Sequence, residues 1–196
     1  MKVLDTDLPD VKIIEPRVFG DKRGYFYESF NRRSFRDCLG IDLEFVQDNH
    51  SKSSRGVLRG LHYQIEQPQG KLVRVTRGSV FDVAVDLRRS SPQFGNWTSQ
   101  VLSAENFRQL WVPPGFGHGF LVLEDDTEFL YKTTDYYAPE HERTVLWNDP
   151  ELAIDWPVDG MQLKLSPKDE DGVLFSNPIH EAILPKVWSP CILAKP

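Results

Sequence analysis

Short runs in which apolar and polar residues alternate, broken by clusters of Gly, Pro, Asn and Asp, fill the first two thirds of the chain. They predict strands over 11–19, 25–30, 43–49, 56–64, 71–76, 79–87, 96–102, 109–112, 119–123 and 127–134. The turns between them include Gly20-Asp21-Lys22-Arg23-Gly24, Pro68-Gln69-Gly70, Arg77-Gly78, Pro113-Pro114-Gly115 and Asp125-Asp126. Alternation is plainest in 81–87, where four apolar residues share one face and Asp82, Ala84 and Asp86 the other. One segment reads as a helix: Asn31 caps it, Phe35, Cys38 and Leu39 share a face, and Gly40 stops it. From Ala138 the pattern loosens into a loop-rich segment, with a short helical turn, that wraps over the sheets. Residues 1–175 are expected to form a single domain and 176–196 a C-terminal tail. Many short strands with regular turns predict an all-β sandwich, best matched by a double-sheet jelly roll with short peripheral helices. An immunoglobulin-like sandwich is the alternative, but its Cys…Trp…Cys spacing is absent.

Composition narrows the function classes. The 196 residues are 40% apolar and 27% charged, ordinary for a globular domain, and carry a net charge of −6. A pI near 5.4 gives no basic footprint for nucleic acid. Two cysteines, Cys38 and Cys191, cannot make a disulfide framework, so a reducing compartment is expected. No apolar run nears the roughly 20 residues a membrane span needs. The start, Met1-Lys2-Val3-Leu4-Asp5, turns acidic at once and does not resemble a signal peptide. The expected location is the cytoplasm, with no membrane or nucleic-acid partner.

Candidate chemistry centres on the strand Val57-Leu58-Arg59-Gly60-Leu61-His62-Tyr63-Gln64. An imidazole takes and returns protons near neutral pH, so His62 in an apolar strand suggests proton transfer inside a β cavity. A histidine in such a strand can equally be a core residue with satisfied hydrogen bonds. Lys71 at a strand start, His118 in Pro114-Gly115-Phe116-Gly117-His118, and Tyr131 in Phe129-Leu130-Tyr131-Lys132 add possible partners. An imidazole, an ammonium and a phenol suffice to remove a proton beside a carbonyl, hold the enolate and reprotonate the carbon.

Several runs together carry a family resemblance. They are 16–30, Phe45-Val46-Gln47-Asp48-Asn49-His50-Ser51, 56–62, 70–75, 81–87, 114–120, 131–134 and Leu165-Ser166-Pro167-Lys168-Asp169. In this order they resemble the dTDP-4-dehydrorhamnose 3,5-epimerase family over roughly residues 1–175. The resemblance implies a cupin-type jelly roll, a homodimer, and no metal or cofactor. It implies dTDP-4-dehydro-6-deoxy-glucose as substrate, a 4-keto sugar whose ketone acidifies the hydrogens on C3 and C5. His62 matches the general base, Asp169 the carboxylate that orients it, Lys71 the holder of the enolate oxygen and Tyr131 the acid at C5. Arg23, Glu28, Gln47, Asp48, Asn49 and Arg59 match dTDP-binding positions, and His118, Glu142 and Lys168 match further substrate positions. Phe26 and Tyr137 are candidates for stacking on thymine.

Three other readings compete. A relative that inverts C3 alone keeps much the same site residues. A metal-dependent cupin enzyme is suggested by Pro113-x-Gly115-x-x-His118, yet the other motif of such proteins is one histidine short and is followed by Lys71. A non-catalytic sugar-nucleotide binder needs neither His62 nor Tyr131. Within the strand, Arg59 and His62 are three residues apart, so strict alternation sends them to opposite faces; Gly60 is the place for a bulge that reunites them.

Overall fold

The computed structural model describes residues 1–177. In chain order the elements begin with β1 (Lys2–Asp5), β2 (Lys12–Glu15), β3 (Val18–Asp21), β4 (Gly24–Tyr27), α1 (Arg32–Leu39) and β5 (Gln47–Ser53). Then come β6 (Leu58–Gln64), β7 (Lys71–Arg77), β8 (Ser79–Asp86), β9 (Trp97–Ser103) and β10 (Gln109–Val112). The last are β11 (Phe116–Val122), β12 (Thr127–Thr133), β13 (Glu142–Thr144) and α2 (Pro167–Glu170).

One sheet has six strands in the order β1-β2-β10-β7-β12-β5, a second has five in the order β13-β6-β11-β8-β9, and β3-β4 form a separate hairpin. Side chains of both large sheets interdigitate between them: Val73, Val75, Leu110 and Phe129 from the first meet Val80, Leu102, Phe120 and Val122 from the second. The result is the expected all-β jelly roll, closed face to face. Two further apolar layers lie outside. Helix α1 lays Phe35 over Leu72 and Trp111 on the six-stranded sheet. The C-terminal segment lays Leu152, Trp156 and Phe175 over Leu61, Val83 and Val85 on the five-stranded one. Among the described residues no helix is long and apolar enough to cross a membrane.

The signals around α1 act as expected. The Asn31 side chain accepts the Ser34 N–H at 3.1 Å, and Gly40, at φ +70°, donates its N–H to Arg36 O at 2.8 Å. Other elements differ from expectation for physical reasons. The strand expected over 11–19 breaks at Pro16, which has no N–H for a ladder, so β2 and β3 enter different sheets. The apolar stretch of 43–49 is mostly not strand: Leu43 and Phe45 pack with Phe35, and the ladder begins only at Gln47. β1 and β13 are short and lie outside the expected strands. In β8 both faces are buried. Asp82, Ala84 and Asp86 point between the sheets, while Val83 and Val85 point outward beneath the C-terminal segment. The expected tail, 176–196, lies almost wholly outside the described residues.

Candidate active site

Strand β6 carries the central device. His62 pairs with His118 and Arg59 with Phe120, so β6 uses three steps where β11 uses two. That extra residue is a bulge, and it returns Arg59 and His62 to the same inward face. Gly60 makes it possible, at φ +117°: a Cβ there would lie 2.5 Å from Gly119 Cα and 2.7 Å from His118 O. The Gly60–Leu61 peptide is cis.

On the facing sheet, alternation sets the inward rows. In β7 Lys71, Val73 and Val75 point inward, and in β12 Thr133, Tyr131 and Phe129 stand opposite them. In β5 Gln47, Asn49 and Ser51 continue the row beside Tyr131. The two sheets enclose a cavity of about 310 Å³ at this end of the sandwich. Ten predicted residues line it: Gln47, Asn49, Arg59, His62, Lys71, His118, Tyr131, Tyr137, Glu142 and Lys168.

His62 is braced from behind. Its Nε2 lies 2.7 Å from Asp169 Oδ1, and that oxygen also accepts the Gly60 N–H at 2.9 Å. Asp169 Oδ2 accepts the Ser166 hydroxyl at 2.5 Å, and Ser166 caps α2. Burial opposes the Asp169 charge, but the bonds from His62, Ser166 and Gly60 outweigh it and hold the carboxyl well below the usual range. Burial lowers the His62 pKa below its ordinary 6.5, against the pull of Asp169 and with help from Lys168 and Lys71.

Lys71 is buried, and among the described residues its ammonium makes only a long contact, 3.5 Å, to His62 O. Burial lowers its pKa to about 8, with Glu142 and Asp82 resisting. Tyr131 enters from the opposite sheet to His62. Burial first, then the Glu142 charge, push its phenol up, so it keeps its proton at neutral pH. At the floor His118 Nε2 lies 2.9 Å from the buried Asp82. Burial raises the Asp82 pKa against the effect of His118. At the mouth both Glu142 oxygens take the Lys168 ammonium at 2.9 Å, and one takes the Tyr137 hydroxyl at 2.9 Å. Burial pushes Glu142 up, yet Lys168 and His62 leave its pKa below normal.

Four predicted residues lie elsewhere in this chain. Asp48 alternates to the outer face of β5, pairs with Lys132 at 2.8 Å and lines a groove of about 170 Å³. Phe26 and Glu28 line another groove, of about 490 Å³, against α1. Arg23 sits at the tip of the β3–β4 hairpin, paired with Asp21. On that hairpin Phe19 and Phe26 face each other at 51% and 71% exposure, while Tyr25 and Tyr27 hold the other side to Phe107 at 4.9 and 5.4 Å.

Sequence reasoning did not single out Gln69, Ser51, Phe120 and Phe129, which also line the cavity, or the supporting Asp82 and Ser166. Ser51 lies two residues from Asn49 on β5, which places both on one face, and Gln69 lies just before β7, two residues from Lys71. Phe120 stacks on Phe129 at 4.1 Å and supplies the apolar part of the wall. The cation Lys71 stands among His62, His118 and their carboxylates. Among the described residues no group of three or more His, Cys, Asp or Glu is placed to hold a metal ion.

Comparison with known proteins agrees with this architecture. The family model for dTDP-4-dehydrorhamnose 3,5-epimerase matches residues 5–177. The dTDP-4-dehydrorhamnose 3,5-epimerase of Pseudomonas aeruginosa is 63% identical over 177 residues, covering 90% of this chain and 97% of that protein. The enzyme of the same name from Escherichia coli is 60% identical over 171 residues, covering 87% and 92%. A crystal structure of dTDP-6-deoxy-D-glucose-3,5-epimerase from Legionella pneumophila in complex with dTDP-4-keto-L-rhamnose superposes with a TM-score of 0.90. It is 53% identical and covers 93% of this chain and 96% of that one. With matches spanning the sandwich, the bulged strand and the segment bearing Asp169, the chain belongs to the dTDP-4-dehydrorhamnose 3,5-epimerase family.

Proposed function

We propose that this enzyme epimerises dTDP-4-dehydro-6-deoxy-D-glucose at C3 and C5 to dTDP-4-dehydro-L-rhamnose, as a step toward dTDP-L-rhamnose. The observation that carries the reading is the placement of the braced His62, the buried Lys71 and the protonated Tyr131 around one cavity. Neutral His62 removes the acidic hydrogen beside the ketone, and Asp169 steadies the imidazolium that forms. Lys71 donates to the C4 oxygen as it becomes an enolate, a contact of a kind worth about 3–4 kcal/mol of barrier. Inversion needs the proton back on the other face of the carbon. Tyr131 supplies it at C5; its projection from the sheet opposite His62 supports that role. Arg59, Gln47 and Asn49 take the nucleotide diphosphate end, Arg59 by its bidentate fork. Tyr137 offers its ring to the base, and His118, Glu142 and Lys168 complete the sugar site. The residues named here need no cofactor for this chemistry.

The working form in this reading is a homodimer, one catalytic domain over 1–175 in each subunit. Support comes from the hairpin: Arg23 and Phe26 stand on it, outside the cavity of their own chain, with Phe19 and Phe26 facing solvent. A second copy related by a two-fold axis brings this hairpin, and Glu28 and Asp48 beside it, to the nucleotide end of its neighbour's cavity. The reaction is assigned to the cytoplasm, in keeping with the free, exposed Cys38.

The direct test is incubation with the dTDP-4-keto sugar in D₂O, followed by NMR of which carbons carry deuterium and in what configuration. Deuterium at C3 and C5 with both centres inverted is the expected result. His62→Ala should abolish exchange at both carbons, and Tyr131→Phe should impair C5 inversion more than C3 exchange. Exchange at C3 alone in the native enzyme, or exchange that survives in His62→Ala, overturns the assignment.

A further inference from the structure

Gln69 is a cavity residue without a role in the chemistry above. It lies just before β7, two residues from Lys71, and lines the same cavity. The Thr134 N–H donates to Gly70 O at 3.0 Å and the Gly70 N–H donates to the Thr134 hydroxyl at 2.8 Å, which tie the chain just before β7 to the end of β12. Its Nε2 donates to Asp135 O at 2.9 Å, which fixes the amide. Among the described residues its Oε1 receives no hydrogen bond, so a fixed acceptor is left at the cavity wall.

Its position along the strands indicates what it meets. Thr133 lies opposite Lys71, Tyr131 opposite Val73 and Phe129 opposite Val75. The order along the cavity is therefore Gln69, Lys71, Tyr131, Phe129, with about 7 Å between successive inward positions. If the C4 oxygen sits at Lys71 and C5 lies toward Tyr131, C3 must lie on the other side of Lys71. That side holds Gln69 and Glu142. Glu142 is already engaged by Lys168 and Tyr137. At the opposite end Phe120 stacks on Phe129, with Arg59 and Ser51 beside them.

We infer that Gln69 binds the sugar on its C3 side, its amide oxygen accepting a hydrogen bond from the hydroxyl adjacent to the ketone. This rests on the catalytic reading, which fixes C4 at Lys71 and C5 toward Tyr131. The contact orients the ring so that the two carbons flanking the ketone are presented in a defined sense. It also makes the enzyme selective for 4-keto sugars that keep a C3 hydroxyl.

The test compares native enzyme, Gln69→Leu and Gln69→Glu on the parent dTDP-4-keto-6-deoxy sugar and on its 3-deoxy analogue. The readout is C5 deuterium exchange, which both substrates can show. Gln69→Leu should lose roughly tenfold in kcat/KM on the parent, the scale of one neutral hydrogen bond, and nothing on the analogue. Gln69→Glu keeps an acceptor and should still prefer the parent. Equal losses by Gln69→Leu on both substrates, or no loss on either, overturn the inference; a general disturbance of the site would produce the first. Thermal melting of each variant checks folding, and if Gln69→Leu fails to fold, the native enzyme's own parent-to-analogue ratio and that of Gln69→Glu decide the matter. Persistent exchange in His62→Ala is a separate result that overturns the catalytic reading itself.

Discussion

Asp169 Oδ1 lies 2.7 Å from His62 Nε2 and 2.9 Å from the Gly60 amide, so one carboxylate oxygen holds both the base and the bulge that aims it. The two functions can be separated. Asp169→Asn removes the negative charge but keeps a carbonyl for the amide, and kcat should fall by about 10²-fold or more. Asp169→Ala also leaves the buried Gly60 N–H without an acceptor, a further cost of about 1–3 kcal/mol. Melting curves beside steady-state rates check both: a small shift for Asn, a larger one for Ala, and low activity in each.

The pH–rate profile should be bell-shaped. With His62 as the neutral base, the rate should rise with pH as it loses its proton; burial puts that limb below 6.5. With Lys71 acting as the ammonium, the rate should fall as pH passes about 8. In Lys71→Arg the guanidinium stays charged throughout, and whatever activity remains should lose the alkaline limb. A native profile flat to pH 10 would show that Lys71 is not the group responsible.

Gly60→Ala meets backbone rather than a movable side chain: its Cβ falls 2.5 Å from Gly119 Cα, at φ +117°. Strain and overpacking together should cost about 3 kcal/mol. For a chain of this size that is a melting-point drop of roughly 6–12 °C. Calorimetry measures it, and activity should fall as Arg59 and His62 lose their common face.

Subunit mixing tests the dimer. Arg23→Ala and His62→Ala enzymes should each be nearly inactive. After unfolding and refolding together, mixed dimers join an intact His62 in one subunit to an intact Arg23 in the other. About a quarter of native activity should return if pairing is random. No recovery would place Arg23 outside the neighbouring cavity.

Much of the sandwich is written in local chemistry. The cap and stop of α1 at Asn31 and Gly40 follow from backbone needs that a sequence displays directly. The inward rows of β5, β7 and β12 follow from the two-residue period once strands are assigned. The failures have one cause: which side of a strand is inside depends on what covers it. β8 looks like a strand with Val83 and Val85 toward the core, yet the long C-terminal segment buries that face from outside and leaves Asp82 to meet His118 within. β5 starts later than its apolar residues suggest because those residues pack on α1, and its polar rungs serve the cavity. For the site, His62, Lys71 and Tyr131 come together as the chemistry requires. The absence of Arg23 and Phe26 from the same hollow is information no single chain's periodicity contains.

The C-terminal segment does more than cover the five-stranded sheet. Asp169 lies C-terminal to every strand of the sandwich, on the segment that returns over its outer wall. Trp156 and Phe175 seat that segment on the wall, and α2 carries Asp169 to the imidazole. Loosening it would therefore free His62 from its carboxylate and uncover Val83 and Val85 at once.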